Sequence, residues 1–209
     1  MADVLPSLAR CSAGADMNGT GWMLLGGTLF VLGLAHRLPV AAQADTRLFV
    51  LLHRPLSRGR WPRFFRVLWL WGTSPPTLAF LLVLAWRLRP WWAAPAIYLL
   101  AAAGERAVKL TLRRPRPFRA LPEAHLQQPR VPHDPSFPSG DALRVWFLTL
   151  TLSATFPGQT WLPPLLALLA LLVSLGRIAL GAHYPLDVLA GSGLGLLSGG
   201  AVLWLLGMG

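Results

Sequence analysis

Six runs of apolar residues organise the chain, at about residues 21–38, 67–86, 91–108, 142–156, 161–178 and 186–206. A helix needs roughly 20 apolar residues to cross the ~30 Å hydrocarbon core of a bilayer, and each run approaches that length. The fourth is the shortest and needs Ser139 and Gly140 to begin it. Six such spans use about 120 of the 209 residues, which leaves no room for a separate soluble domain. The pattern therefore predicts an all-α fold, a six-transmembrane-helix bundle forming a single integral-membrane domain over residues 1–209. Trp22, Trp61, Trp86, Trp91, Trp92 and Trp161 fall where runs end, at the depth amphipathic rings prefer. Gly191, Gly193, Gly195, Gly199 and Gly200 give the last run a small face suited to close helix packing.

Two polar stretches are long, residues 39–66 and 109–140, and both read as loops. With six crossings they share one membrane face with the short turn between the fifth and sixth runs. Composition agrees with a membrane protein: 54% of residues are hydrophobic and 13% charged, against about 25% charged in soluble domains. Disorder is excluded by the same figures. The net charge of +11 is of the kind that draws nucleic acid. Its distribution argues otherwise, because twelve of the nineteen basic residues lie in the two long stretches on one face. That placement points to phosphate-bearing membrane lipid as the partner and not to nucleic acid. Cys11 is the single cysteine, so no internal disulfide holds the fold. Residues 1–20 hold Arg10 as their one basic residue and do not read as a cleavable signal.

Polar residues near membrane depth are expensive and are functional candidates by default. Three clusters stand out: Lys109 to Arg116-Pro117, then Pro138-Ser139-Gly140-Asp141, then Arg177 to His183 and Asp187. Lys109, Arg116 and Arg177 are cations able to hold a phosphate. Ser139 and Gly140 stand at a helix start, where free N–H groups and the dipole favour an anion. His183 is a candidate nucleophile or base. Asp187, one helical turn later, is placed to accept from the other ring nitrogen and fix the tautomer.

These residues resemble the type 2 phosphatidic acid phosphatase superfamily, the integral-membrane lipid phosphatases. The family pattern is Lys-x6-Arg-Pro, then Pro-Ser-Gly-His, then Ser-Arg-x5-His-x3-Asp. Lys109 to Arg116-Pro117 matches the first element, and Pro138-Ser139-Gly140 matches the second up to its last residue. Arg177, His183 and Asp187 match the third, with Gly176 in place of its serine. The resemblance implies a bundle of the lipid phosphatase type that hydrolyses lipid phosphates or diphosphates, of the phosphatidic acid or polyprenyl diphosphate kind. It implies that His183 attacks phosphorus to form a phosphohistidine and that Asp187 orients His183. Lys109, Arg116, Ser139, Gly140 and Arg177 then bind the phosphoryl oxygens. Neither a metal nor another cofactor is implied. Two other functions stay open: a lipid phosphotransferase, with an alcohol or lipid phosphate as acceptor, and a non-catalytic phospholipid-binding membrane protein.

The departure is Asp141, which stands where the family has the histidine taken as the acid for the leaving group. An unperturbed aspartate, pKa about 3.9, is ionised at neutral pH. Asp141 is read either as an acid protonated in the substrate complex, or as a helix cap or partner of Arg144, or as the mark of an impaired enzyme; His133 is an alternative acid. Lys109 has an alternative reading as the partner of Glu105, one turn back. Arg113, Arg114 and Arg119 read as headgroup-facing charges, and His36, His53 and His125 as interfacial. Orientation signals oppose one another. The N-terminal face carries Arg10, Arg87 and Arg89 against six arginines in residues 39–66 alone, so the positive-inside rule puts the catalytic face in the cytoplasm. The resemblance implies an outward catalytic face on a multi-pass protein of the bacterial inner membrane.

Overall fold

The structure is a computed structural model and describes residues 18–208. Cys11, Arg10 and the N-terminal stretch weighed as a signal lie outside the described residues. The described chain is all-helical. Its α-helices are α1 (Gly19–Gly33), α2 (Pro39–Leu56), α3 (Trp61–Trp69), α4 (Ser74–Arg87), α5 (Ala93–Leu112), α6 (Pro117–Ala120), α7 (Gly140–Thr155), α8 (Leu162–Ala179) and α9 (Pro185–Leu205). Short 3-10 turns, Leu34–Arg37 and Leu70–Gly72, extend α1 and join α3 to α4.

The apolar runs correspond to α1, α3–α4, α5, α7, α8 and α9. The expectation of six spanning helices is met in part. Among the described residues, four segments are long and apolar enough to cross a bilayer: Gly19–Arg37, Trp61–Arg87, Leu162–Ala179 and Pro185–Leu205. Helix α5 carries Glu105, Arg106 and Lys109 in its last two turns, and α7 has only 16 residues. Leu24, Val31, Leu82, Trp86, Leu100 and Leu168 all stand exposed on the outer surfaces of the bundle, an apolar coat suited to lipid and not to water.

Residues 39–66 also differ from the expected loop. Pro39 opens α2 at its first turn, where a missing N–H costs nothing. Asp45, Phe49 and His53 follow at four-residue spacing and form its buried face. His53 is therefore not interfacial: its Nδ1 meets the Ile178 and Ala179 carbonyl oxygens and its Nε2 accepts the His125 N–H. Between α3 and α4 the chain bends at Thr73, ahead of Pro75 and Pro76 in the first turn of α4.

Helix α9 is the centre of the bundle, packed on α1 along one side and on α7 along the other. The glycines predicted to form a small face make both contacts possible. A Cβ on Gly193 would stand 2.6 Å from Gly26 O and Phe30 N on α1, and one on Gly195 would stand 2.5 Å from Leu143 O on α7. Backbone cannot yield as a side-chain tip can. Gly193→Ala is therefore expected to cost about 1–3 kcal/mol and to lower the melting temperature in detergent. Gly104, where an added Cβ meets nothing within 4 Å, is the control: Gly104→Ala should leave the melting temperature unchanged or raise it.

Candidate active site

Each predicted site residue stands where a helix ends, and the ends meet at one place. Helix α5 terminates at Arg113, which takes a left-handed conformation and leaves Lys109 in the last turn, facing inward. The chain then returns as Arg114-Pro-Arg116-Pro117, with Arg116 preceding the single turn α6. Ser139 precedes α7 and donates its backbone N–H to Asp187 O. Arg177 lies in the last turn of α8, and its carbonyl oxygen accepts the N–H groups of both Ala182 and His183. That fold-back passes through Gly181 at φ +75°, a conformation glycine adopts without a Cβ clash. His183 is thereby pinned opposite Arg116.

These ends line a cavity of about 690 Å³. Six of the eight predicted site residues form its wall: Lys109, Arg116, Gly140, Asp141, Arg177 and His183. Ser139 and Asp187 lie fully buried and are absent from the lining.

Arg116 Nη1 donates to Ala182 O at 3.1 Å and stands 3.1 Å from His183 Nε2. A guanidinium has no acceptor, so Nε2 must accept and the ring proton sits on Nδ1. Nδ1 lies 3.7 Å from Asp187 Oδ2, beyond hydrogen-bond reach. Burial, and then the Arg116 charge, pull the imidazole down to about 3, so Nε2 keeps its lone pair at neutral pH.

Asp187 is itself held by other donors. Its Oδ2 accepts the Ser136 hydroxyl and the Tyr184 N–H, and its Oδ1 accepts Arg114 Nη1 at 2.6 Å. Arg114 is thus a correction to the expectation of a headgroup-facing charge. Its side chain is 10% exposed, stacks on Tyr184 and bridges Asp187 to Asp45. Arg113 and Arg119 are exposed, as expected.

The cations already carry counter-ions. Lys109 pairs with Glu105 at 2.7 Å and with Asp134. Arg116 Nη2 also reaches Asp134, at 2.9 Å. Asp141 pairs with Arg144 at 2.8 Å and Arg177 at 2.9 Å, and it accepts the Trp69 indole N–H at 3.2 Å. The Arg144 pairing is one of the alternatives the sequence left open. Ser139 Oγ, Arg177 Nη1 and His183 Nδ1 are buried with no hydrogen-bond partner among the described residues. One guanidinium donor and a hydroxyl left idle beside the α7 N-terminus are chemistry for an incoming anion.

Asp134 is a cavity-wall residue that sequence reasoning missed. Burial alone would raise its carboxyl pKa, but Lys109 and Arg116 hold it well below the usual carboxylate range. The carboxylate therefore occupies two cations that a phosphoryl group needs. Asp134→Asn is expected to lower the inhibition constant of orthovanadate about tenfold, or ~1.4 kcal/mol. A higher inhibition constant would mean that Asp134 aligns the cations and does not compete for them.

Comparison with known proteins follows the same residues. The PAP2 superfamily profile matches residues 90–208. An undecaprenyl-diphosphatase of Sulfolobus acidocaldarius is 37% identical over 98 residues, 47% of this chain and 46% of that protein, so the match spans about half the length of that curated relative. The structure of a PAP2-type phosphatidylglycerolphosphate phosphatase from Bacillus subtilis aligns with a TM-score of 0.69 at 20% identity, over 89% of this chain and 94% of that one, a likeness of fold alone. Aquifex aeolicus LpxE aligns with a TM-score of 0.64 at 26% identity, over 73% of this chain and 90% of that one.

Proposed function

The chain belongs to the PAP2 superfamily, and from that premise we propose that it is a membrane phosphatase that hydrolyses lipid diphosphates in preference to lipid monophosphates. The observation that carries this reading is the cationic wall around His183. Arg177, Lys109 and Arg116 line one cavity with His183, and Arg177 Nη1 is buried with no hydrogen-bond partner among the described residues. In this reading α5 and α7 cross the membrane beside the four longer segments, which puts the cavity on one face. Most of α7 is buried, so its shortness is shielded by its neighbours.

Phosphoryl transfer asks a protein mainly for positioning and charge stabilisation. Lys109, Arg116 and Arg177 hold the phosphoryl oxygens after exchange of their carboxylate partners, joined by Ser139 Oγ and the Gly140 N–H. His183 Nε2 then forms a bond to phosphorus as the bond to the leaving oxygen breaks and its electron pair departs with that oxygen. Asp187 stabilises the proton on Nδ1 of the resulting phosphohistidine. Water next attacks phosphorus, the N–P bond breaks, and phosphate leaves with the ring restored.

The preference for diphosphates follows from Asp141. Held by Arg177, Arg144 and Trp69, it is an ionised partner and not a proton donor. An alkoxide leaving group needs a proton, since its conjugate acid is about as weak as water, pKa ~15.7. A lipid monophosphate leaving group does not, because its second pKa is about 6. Arg106, Arg130 and Arg144 line the rest of the cavity and supply charge for the second phosphate. The name of the Sulfolobus relative, an undecaprenyl-diphosphatase, is consistent with this substrate class.

The test is phosphate release by purified protein from matched lipid mono- and diphosphates, such as farnesyl phosphate and farnesyl diphosphate. The diphosphate is expected to have the higher kcat/KM by at least about tenfold. Equal turnover of both, or faster turnover of the monoester, would sink the preference. No release from either would sink the phosphatase reading itself.

A further inference from the structure

The three polar clusters begin at Lys109, and the family match begins at residue 90. One buried carboxylate outside both reaches the catalytic end of the bundle. Asp45 lies on α2, its side chain only 1% exposed, and no other carboxylate of α2 exists to share its role. Its Oδ2 accepts Arg114 Nη2 at 2.6 Å, and its Oδ1 accepts the Leu186 N–H at 2.9 Å. The same Arg114 donates its other terminal nitrogen to Asp187 Oδ1 at 2.6 Å.

Both bonds bear on Asp187. The first fixes the guanidinium that holds one carboxylate oxygen of Asp187. The second fixes the backbone immediately before Asp187, in a first helical turn whose N–H groups lack partners within the helix. Buried ions of this kind persist where partners satisfy them, and removal of one partner leaves a charge uncompensated. Asp45 and Asp187 divide the charge of Arg114 between them. Without Asp45, Arg114 has Asp187 as its one remaining carboxylate partner among the described residues and draws it more strongly. Asp187 Oδ2 stands 3.7 Å from His183 Nδ1 and must close by about 1 Å to accept its proton, a step that a tighter pull from Arg114 opposes.

We propose that Asp45 is a positioning residue of this site, acting through Arg114 to set Asp187 against His183. This rests on the reading of His183 as the nucleophile. Asp45 makes no bond to Lys109, Arg116 or Arg177, so its loss acts on the chemical step and not on phosphate binding.

The experiment measures phosphate release from farnesyl diphosphate, and inhibition by orthovanadate, for wild type, Asp45→Asn and His183→Ala in detergent. Asp45→Asn keeps the size of the side chain and removes its charge. Its kcat is expected to fall at least about tenfold, with KM and the vanadate inhibition constant within about twofold of wild type. A kcat within twofold of wild type overturns the inference. So does a parallel loss of kcat, KM and vanadate inhibition, which is the mark of a purely structural role. If the Asn variant does not yield folded protein, Arg114→Lys, which keeps the charge but replaces the planar fork that spans Asp45 and Asp187 with a single point charge, is judged by the same criteria. Activity retained in His183→Ala would instead overturn the nucleophile assignment, and it leaves a result distinct from failure of Asp45 alone.

Discussion

His183→Ala should reduce phosphate release by at least about three orders of magnitude, whichever lipid is supplied. The size of the effect follows from what the ring alone provides. Arg116 donates toward Nε2 and thereby leaves the proton on Nδ1, so the nitrogen nearest the cations is the one with a lone pair. No neighbouring side chain can replace it: the Asp141 carboxylate is engaged by two arginines, and Asp134 by Lys109 and Arg116. Vanadate binding should survive the substitution, because the cations that hold the anion are untouched. Wild-type pH dependence offers a second check. With the imidazole held at about 3, it stays neutral through the mildly acidic range, so kcat/KM should show no loss from histidine protonation near pH ~6.5. The measurement is phosphate release across pH 4.5–8 for the wild type, and at a single pH for the variant with its melting temperature recorded alongside. Release by the variant above about 1% of wild type would point to another nucleophile.

The site residues that could be read from sequence share a property: each lies in a short stretch whose spacing carries the signal. Lys109 and Arg116 are seven positions apart, and His183 and Asp187 are one helical turn apart. The residues that escaped notice are joined across long separations. Asp45 and Arg114 are 69 positions apart, and Trp69 and Asp141 are 72 apart. No local pattern encodes such a pair; it exists because elements distant in sequence pack side by side, as α3 does on α8. Asp134 escaped for a different reason. It sits in an irregular proline-rich stretch, where periodicity offers nothing and a lone aspartate resembles any solvated loop residue. The identity of α2 was nearer to legible. The arginines of residues 39–66 argue for a loop, yet Asp45, Phe49 and His53 repeat every four residues and form a helix face. The apolar runs located the helices because burial in lipid demands continuous hydrophobicity. The number of crossings is harder to read, because α7 is short and mostly buried among its neighbours.

The largest gain of function should come from Asp141→His, which installs the residue that the rest of the superfamily pattern carries at this position. An imidazole there can donate to a leaving oxygen once the negative charge of the bound phosphates offsets the neighbouring arginines and keeps it protonated. Asp141, paired with Arg177 and Arg144, cannot. The substitution also releases both arginines from their carboxylate, and that release alters phosphate binding for every substrate alike. The informative quantity is therefore a ratio: kcat/KM for farnesyl phosphate divided by that for farnesyl diphosphate. Binding effects common to both substrates cancel in it, whereas help to the leaving group does not. A positioned general acid contributes about 10²-fold to 10⁴-fold where the leaving group needs a proton, so the ratio should rise by at least about tenfold. Asp141→Asn, which frees the same arginines but offers no acid, should leave the ratio within about twofold of wild type. If the Asn and His variants shift the ratio equally, then the arginines and not the missing acid set the substrate preference, and the preference for diphosphates has its origin in charge at the cavity wall.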